Sequence, residues 1–211
     1  YSYMSLVPLI QPPIMRFLTT AKEKRIVMSS RKKSVSKSTK ILFPILVTLF
    51  TAVVAPMGIP LMGSLMMGNL MKESGSVDRL AHASANEIAN IITLLLGLTI
   101  GATMAAEQFL RLQTLGIFAL GFVAICLDTA MGVLFGKIMC VLSGGKVNPL
   151  IGAAGISAFP MSARVVQTVG QKYNPRSYLL MHAMGANTGG QIGSVMAAAI
   201  MLSVVKGMGI S

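Results

Sequence analysis

Two stretches of the sequence combine small residues with neutral oxygen donors. They are Asn148 to Arg164, NPLIGAAGISAFPMSAR, and Met181 to Ser194, MHAMGANTGGQIGS. Neither contains a carboxylate. Amide carbonyls, hydroxyls and backbone carbonyls freed at an interrupted helix suit a small hard cation, with sodium the natural candidate. On another reading, Gly and Ala permit close helix packing while Asn and Ser bond neighbouring backbones. For either stretch alone both readings stand; two such stretches in one chain favour a site.

Four other residues invite a chemical reading. Asp128 is the only carboxylate inside an apolar stretch. A charge in the bilayer core must be paired, protonated or functional, so a role in helix pairing and a role with a proton or ion both stand. Lys137 could neutralise it only by reaching about two and a half helical turns. Arg164 closes the first oxygen-rich stretch, where its planar fork could hold a carboxylate or snorkel to lipid phosphate. His182, isolated among apolar neighbours, reads as a packed, hydrogen-bonded residue. No HExxH, CxxC pair, GxSxG or P-loop occurs, which removes support for soluble-type hydrolase, zinc and nucleotide chemistry. The 17 Met residues read as adaptable packing.

The elements that carry these residues belong in a membrane. Of 211 residues, 54% are apolar and 11% charged, with a mean hydropathy of +0.72, whereas a soluble domain carries about a quarter charged. At about 20 apolar residues per crossing, five or six crossings fit. The net charge of +12 is local, since eight of the eighteen Lys and Arg lie between Lys22 and Lys40. It therefore marks a membrane topology signal and not a nucleic-acid surface. Cys126 and Cys140 lie about 21 Å apart along one apolar stretch, too far for a disulfide. The sequence opens at Tyr1 without Met or signal-peptide zones, and the expectation is a fragment whose upstream half is missing.

Along the chain, residues 1–20 carry Pro8, Pro12 and Pro13 and read as the end of a broken membrane segment. Residues 21–40 read as a basic cytoplasmic loop, and 41–211 as the membrane domain. The apolar run 41–71, with Pro44, Pro56 and Pro60, is a broken helix or a helical hairpin. Ile88 to Ala106 and Leu112 to Leu142 read as crossings. Residues 148–163 dip in or barely span, and 164–177 form a polar connection. The last apolar segment, 178–205, is expected to break at GANTGG, residues 185–190. If the stretches alternate, loops on the side of 21–40 hold twelve bases and the opposite loops four, which puts the basic loop inside. The expected fold class is an all-α polytopic membrane protein of about five to six transmembrane or re-entrant segments, one half of an inverted-repeat, transporter-like fold.

Three strings, YSYMSLVPLIQPPIM, NPLIGAAGISAFPMSARVVQ and LLMHAMGANTGGQIGS, resemble the membrane β subunit of the sodium-translocating biotin-dependent decarboxylases, which act on oxaloacetate, methylmalonyl-CoA or glutaconyl-CoA. The resemblance runs over essentially the whole chain and covers the family's C-terminal half. The family's N-terminal half supplies an essential intramembrane aspartate, so the expectation is a fragment inactive alone. The resemblance implies a subunit that decarboxylates carboxybiotin, exports Na+ and consumes a proton. Matched by motif, Asn148, Gly152, Ser157 and Arg164 fall on the family's functional segment and Asn187 on its second ion-facing segment. Tyr1 or Tyr3 matches the functional tyrosine. Relatives usually have Pro-Asn where this chain has Ala186-Asn187. The implied roles are Na+ ligation by Asn148, Ser157 and Asn187, carboxylate orientation by Arg164, and proton delivery involving Tyr1 or Tyr3.

The implied partners are a biotin-carrying carboxyltransferase α subunit, a small membrane γ-type subunit and further copies of the chain, in a bacterial or archaeal cytoplasmic membrane. Nucleic acid is not among them. No Met-Lys-Met biotin attachment setting occurs, so biotin arrives on a partner. Two other classes stand beside this reading: a sodium-coupled secondary transporter that cleaves no bond, and a membrane scaffold that docks a soluble enzyme.

Overall fold

The computed structural model describes residues 2–28, 35–103, 110–156, 158 and 160–208. Helices dominate, and no strand occurs among the described residues. In chain order they are α1 (Ser2–Leu18), α2 (Ala21–Lys24), α3 (Lys37–Val54), α4 (Ile59–Ser74), α5 (Asp78–Ala83), α6 (Ala89–Thr103), α7 (Leu112–Leu142), α8 (Met161–Tyr173) and α9 (Leu180–Gly207). Short 3-10 turns cover Pro56–Gly58 and Pro149–Ala154, and a π turn at Ser84–Ile88 joins α5 to α6. Among the described residues, four helices are long and apolar enough to cross a membrane: Lys37–Val54, Asp78–Ala102, Leu112–Leu142 and Leu180–Gly207. The chain is an all-α polytopic membrane protein.

It divides into two compact units, Tyr1–Arg31 with Gly116–Ser194, and Lys32–Leu115 with Val195–Ser211. The first unit contains α1, expected to be broken yet continuous through Pro8, Pro12 and Pro13. Proline's fixed φ suits a helix; its cost is one lost donor and a clash with the carbonyl four residues back. Pro8 and Pro13 lie on the exposed side, while Val7, Ile10, Gln11 and Met15 are buried at helical spacing against α8 and the 149–154 turn. That packed face holds the helix together.

The end of α1 is closed by cations. Lys24 Nζ donates to the Arg16 carbonyl at 2.9 Å and Lys137 Nζ to that of Leu18 at 3.1 Å, where a helix dipole favours positive charge. Lys24 also sits 4.9 Å above the Tyr173 ring. Thr20 and Glu23 form a reciprocal capping box on α2. Lys137 lies 3.7 Å from Glu23, so its charge is directed there and not along the helix to Asp128. Burial pushes the Glu23 carboxyl up, but the Thr20 backbone and hydroxyl bonds and the Lys137 charge together hold it below its usual 4.5.

Two further expectations about continuity fail. Residues 164–177 are for the most part not a connection but helix α8, whose Ser162, Ala163, Val165, Val166, Val169 and Gly170 repeat with helical period and are buried. Residues 185–190 do not break the last segment, because α9 runs unbroken through GANTGG. Glycine in a helix costs about 1 kcal/mol relative to Ala but removes no hydrogen bond. The N-terminus of α9 is held by a remote amide: Gln167 Oε1 accepts from the backbone of Leu179 at 2.6 Å and Leu180 at 2.7 Å.

In the second unit the run 41–71 is a helical hairpin. α3 and α4 pack antiparallel, with Lys40 3.1 Å from Glu73 at the open end. An apolar cleft of about 280 Å³ lies between Thr48, Leu49, Gly63 and Met66. The bend falls at Ala55 and the Pro56–Gly58 turn; a Cβ on Gly58 would sit 3.1 Å from that of Ala199. Gly75, with φ +67°, ends α4 in the left-handed conformation glycine adopts without penalty.

Candidate functional site: a turn held by two asparagines

The described residues between α7 and α8 form no α-helix, so their polar groups need partners from outside. Asn148, fully buried, opens the 3-10 turn at 149–154. Its Oδ1 accepts from the Leu150 amide at 3.0 Å, and its Nδ2 donates to the carbonyls of Lys24 at 3.3 Å and Ile26 at 2.9 Å. Asn187, also fully buried, holds the other end from α9, its Nδ2 donating to Ala154 O at 2.9 Å and Ile156 O at 2.6 Å.

The middle of the turn is held from α1 and α8. Gln11 Nε2 donates to the Ala153 carbonyl at 2.8 Å. The Ser162 hydroxyl lies 2.8 Å from Gln11 Nε2, 3.0 Å from its Oε1 and 2.9 Å from Ala153 O. It accepts from the amide nitrogen and has its single proton for one of the two oxygens.

Glycines bring the turn against both long helices. A Cβ on Gly132 would overlap the Gly152 carbonyl, one on Gly152 would overlap that of Gly132, and one on Gly136 would overlap that of Pro149. On the far side, a Cβ on Gly190 would overlap the Gly155 carbonyl. Leu150, Ala153, Ala154 and Val133 fill the space around these contacts in one buried cluster.

The residues anticipated from the sequence are therefore divided among different tasks. Asn148 and Asn187 act on the two ends of a six-residue turn, about 10 Å apart at the 3-10 rise. Gly152 is in backbone contact with α7. Arg164 lies on the exposed face of α8 and Asp128 is exposed on α7. Ser157 and Tyr1 lie outside the described residues, and Tyr3 is described only as part of the α1 backbone. Cys126 and Cys140 are free thiols. Gln11, Ser162 and Gln167 were not anticipated. A lone amide in an apolar run signals the first, and the helical period of α8 signals the other two.

Satisfaction separates the two asparagines. All polar groups of the Asn148 side chain have partners, whereas Asn187 Oδ1 is buried with none among the described residues. With both amide protons fixed on turn carbonyls, its buried oxygen is left as a pure acceptor. Among the described residues no group of three His, Cys, Asp or Glu could hold a metal ion. Any cation here meets neutral oxygen.

In a helical membrane chain, irregular backbone is tolerated only where protein buries it or where it lines a wet cavity. Residues 1–205 match the model of the Na+-transporting oxaloacetate decarboxylase beta subunit, and the chain belongs to that family. It is 53% identical over 206 residues to methylmalonyl-CoA decarboxylase subunit beta of Veillonella parvula, covering 98% of this chain and 55% of that protein. It is 53% identical over 208 residues to the oxaloacetate decarboxylase beta chain of Klebsiella pneumoniae, covering 99% and 48%. Glutaconyl-CoA decarboxylase subunit beta of Acidaminococcus fermentans is 52% identical over 207 residues, covering 98% and 55%. The chain spans about half the length of the curated relatives it matches.

Proposed function

We propose that this chain is part of a membrane subunit that releases carbon dioxide from carboxybiotin and couples the reaction to Na+ export and proton uptake. Biotin is delivered by a carboxyltransferase α subunit, with a small γ-type membrane subunit completing a complex in the cytoplasmic membrane of a bacterium or archaeon. Family membership supports the reaction class. The observation that carries the ion reading is the buried, unpartnered Oδ1 of Asn187 beside the irregular turn.

The chemistry suits such a place. Carboxybiotin is a carbamate anion, and its C–N bond breaks more readily when the carboxylate leaves water and a proton reaches the ring nitrogen. Arg164, on the open face of α8, is the candidate for orienting the carboxylate. Tyr1 or Tyr3 is the candidate for proton delivery. In this reading Asn187 offers the ion its oxygen, with Ser157 a candidate partner, while Asn148 fixes the turn that presents them. Asp128 is the remaining candidate carboxylate for an ion or proton path.

The test is Asn187→Ala in the full-length subunit, with decarboxylation of carboxybiotin followed as a function of Na+. The expected result is an increase of about tenfold or more in the Na+ concentration needed for half-maximal rate. An unchanged Na+ dependence removes Asn187 from the ion site. Absence of carbon dioxide release by the unaltered subunit rejects the decarboxylase reading.

A further inference from the structure

Buried oxygens without partners are rare, and each needs a cause. Among the described residues three side chains carry one: Asn187 Oδ1, Gln191 Oε1 and Thr129 Oγ1. Asn187 and Gln191 stand one turn apart on one face of α9. That face meets the far end of the turn, since Asn187 bonds Ala154 and Ile156 and the Gly190 backbone abuts the Gly155 carbonyl.

Thr129 approaches the same end from α7. Gly136 meets Pro149 and Gly132 meets Gly152, so α7 runs antiparallel to the turn. One further helical turn along that buried face, about 4.5 Å beyond Gly132 and toward Gly155, is Thr129. Its hydroxyl is exceptional. A threonine in a helix ordinarily bonds the carbonyl four residues back, as Thr51, Thr93, Thr99, Thr168 and Thr188 do here. Thr129 is fully buried and makes no such bond.

Resting on the reading of Asn187 as an ion ligand, we propose that Thr129 Oγ1 and Gln191 Oε1 are further ligands of the same monovalent cation. The site at the Gly155 end of the turn is then a neutral cage of three side-chain oxygens drawn from α7 and α9. Backbone contacts at Gly132–Gly152 and Gly190–Gly155 hold α7 and α9 each against the turn, and the cation of the cage is the Na+ of that reading.

The experiment measures the rise in melting temperature of the full-length subunit as NaCl replaces KCl at constant ionic strength, which reads binding without turnover. Thr129→Val and Gln191→Leu each raise the half-saturating Na+ concentration about tenfold, while Thr129→Ser, which keeps the hydroxyl, leaves it within about threefold. Two results overturn the proposal in distinguishable ways. If Asn187→Leu removes the Na+ effect but Thr129→Val and Gln191→Leu leave it unchanged, these two oxygens serve only water and the reading of Asn187 stands. If the unaltered protein does not distinguish Na+ from K+, the ion reading of Asn187 fails and this proposal with it. Should either truncation fail to accumulate, Gln191→Glu decides: a charged oxygen in the cage must shift half-saturation by more than about threefold, and no shift rejects the assignment.

Discussion

The two units use their side-chain hydrogen bonds differently. In the unit of residues 1–31 and 116–194, buried amides bond backbone far away in sequence: Gln11 to Ala153, Asn148 to Lys24 and Ile26, and Asn187 to Ala154 and Ile156. In the unit of residues 32–115 and 195–211, hydroxyls turn back on their own helices, as Thr48 does to Pro44, Ser64 to Pro60 and Thr93 to Ala89. Regular helices satisfy their own backbone and need only apolar contact. An irregular turn must borrow partners, and those partners make its shape specific.

Glycine substitutions break this contrast most sharply. Gly152→Val and Gly190→Val drive a side chain into backbone that cannot yield, and should destabilise the full-length subunit by about 4 kcal/mol or more in detergent thermal melts. Gly68→Ala and Gly97→Ala in the second unit, where a Cβ meets open space inside a helix, should stabilise it by about 0.5–1 kcal/mol. If the two pairs behave alike, backbone contact is not what organises the first unit.

The next effect separates borrowed from local hydrogen bonds. Asn148→Leu strands the Leu150 amide and the Lys24 carbonyl and leaves the Ile26 carbonyl only the 3.4 Å bond from the Ser177 hydroxyl, and should cost about 2–3 kcal/mol in the same melts. Thr93→Val removes an exposed hydroxyl that bonds the Ala89 carbonyl of its own helix, and should change stability by less than about 0.5 kcal/mol.

The smallest effect concerns the capped segment after α1. The folded Glu23 carboxyl lies below its ordinary value of 4.5. Between the two values the unfolded chain binds more protons, so stability rises with pH there. The contribution is present above about pH 4.5 and is lost as the pH falls through the depressed folded value. Glu23→Gln should flatten this part of the stability–pH curve, by roughly 1 kcal/mol or less for a partly solvated cap and ion pair. An unchanged curve assigns the acid sensitivity to other groups.

Much of this architecture was legible in the residues. The apolar run Leu112 to Leu142 gave one helix, Ile88 to Ala106 is helical as far as Thr103 with residues 104–106 outside the described residues, and Pro56 lies at the bend of a hairpin already open as a possibility. The prolines of α1 and the glycines of α9 misled, for one reason: their local cost of a few kcal/mol is smaller than the packing of Val7, Met15 and Ala183 into the shared core. The helix α8 was hidden by its charges, although Val165, Val166 and Val169 carried its period.

By itself the sequence determined the membrane class, the long helices, the clustering of basic charge and the family, because apolar length, periodicity and motif are properties of neighbouring residues. It also marked Asn148 and Asn187 as worth attention, without distinguishing them. Only the tertiary structure gave every polar group of Asn148 a partner and left the oxygen of Asn187 without one. Whether a buried amide is satisfied depends on which distant backbone reaches it, and that is fixed when helices far apart in the chain pack around a single turn.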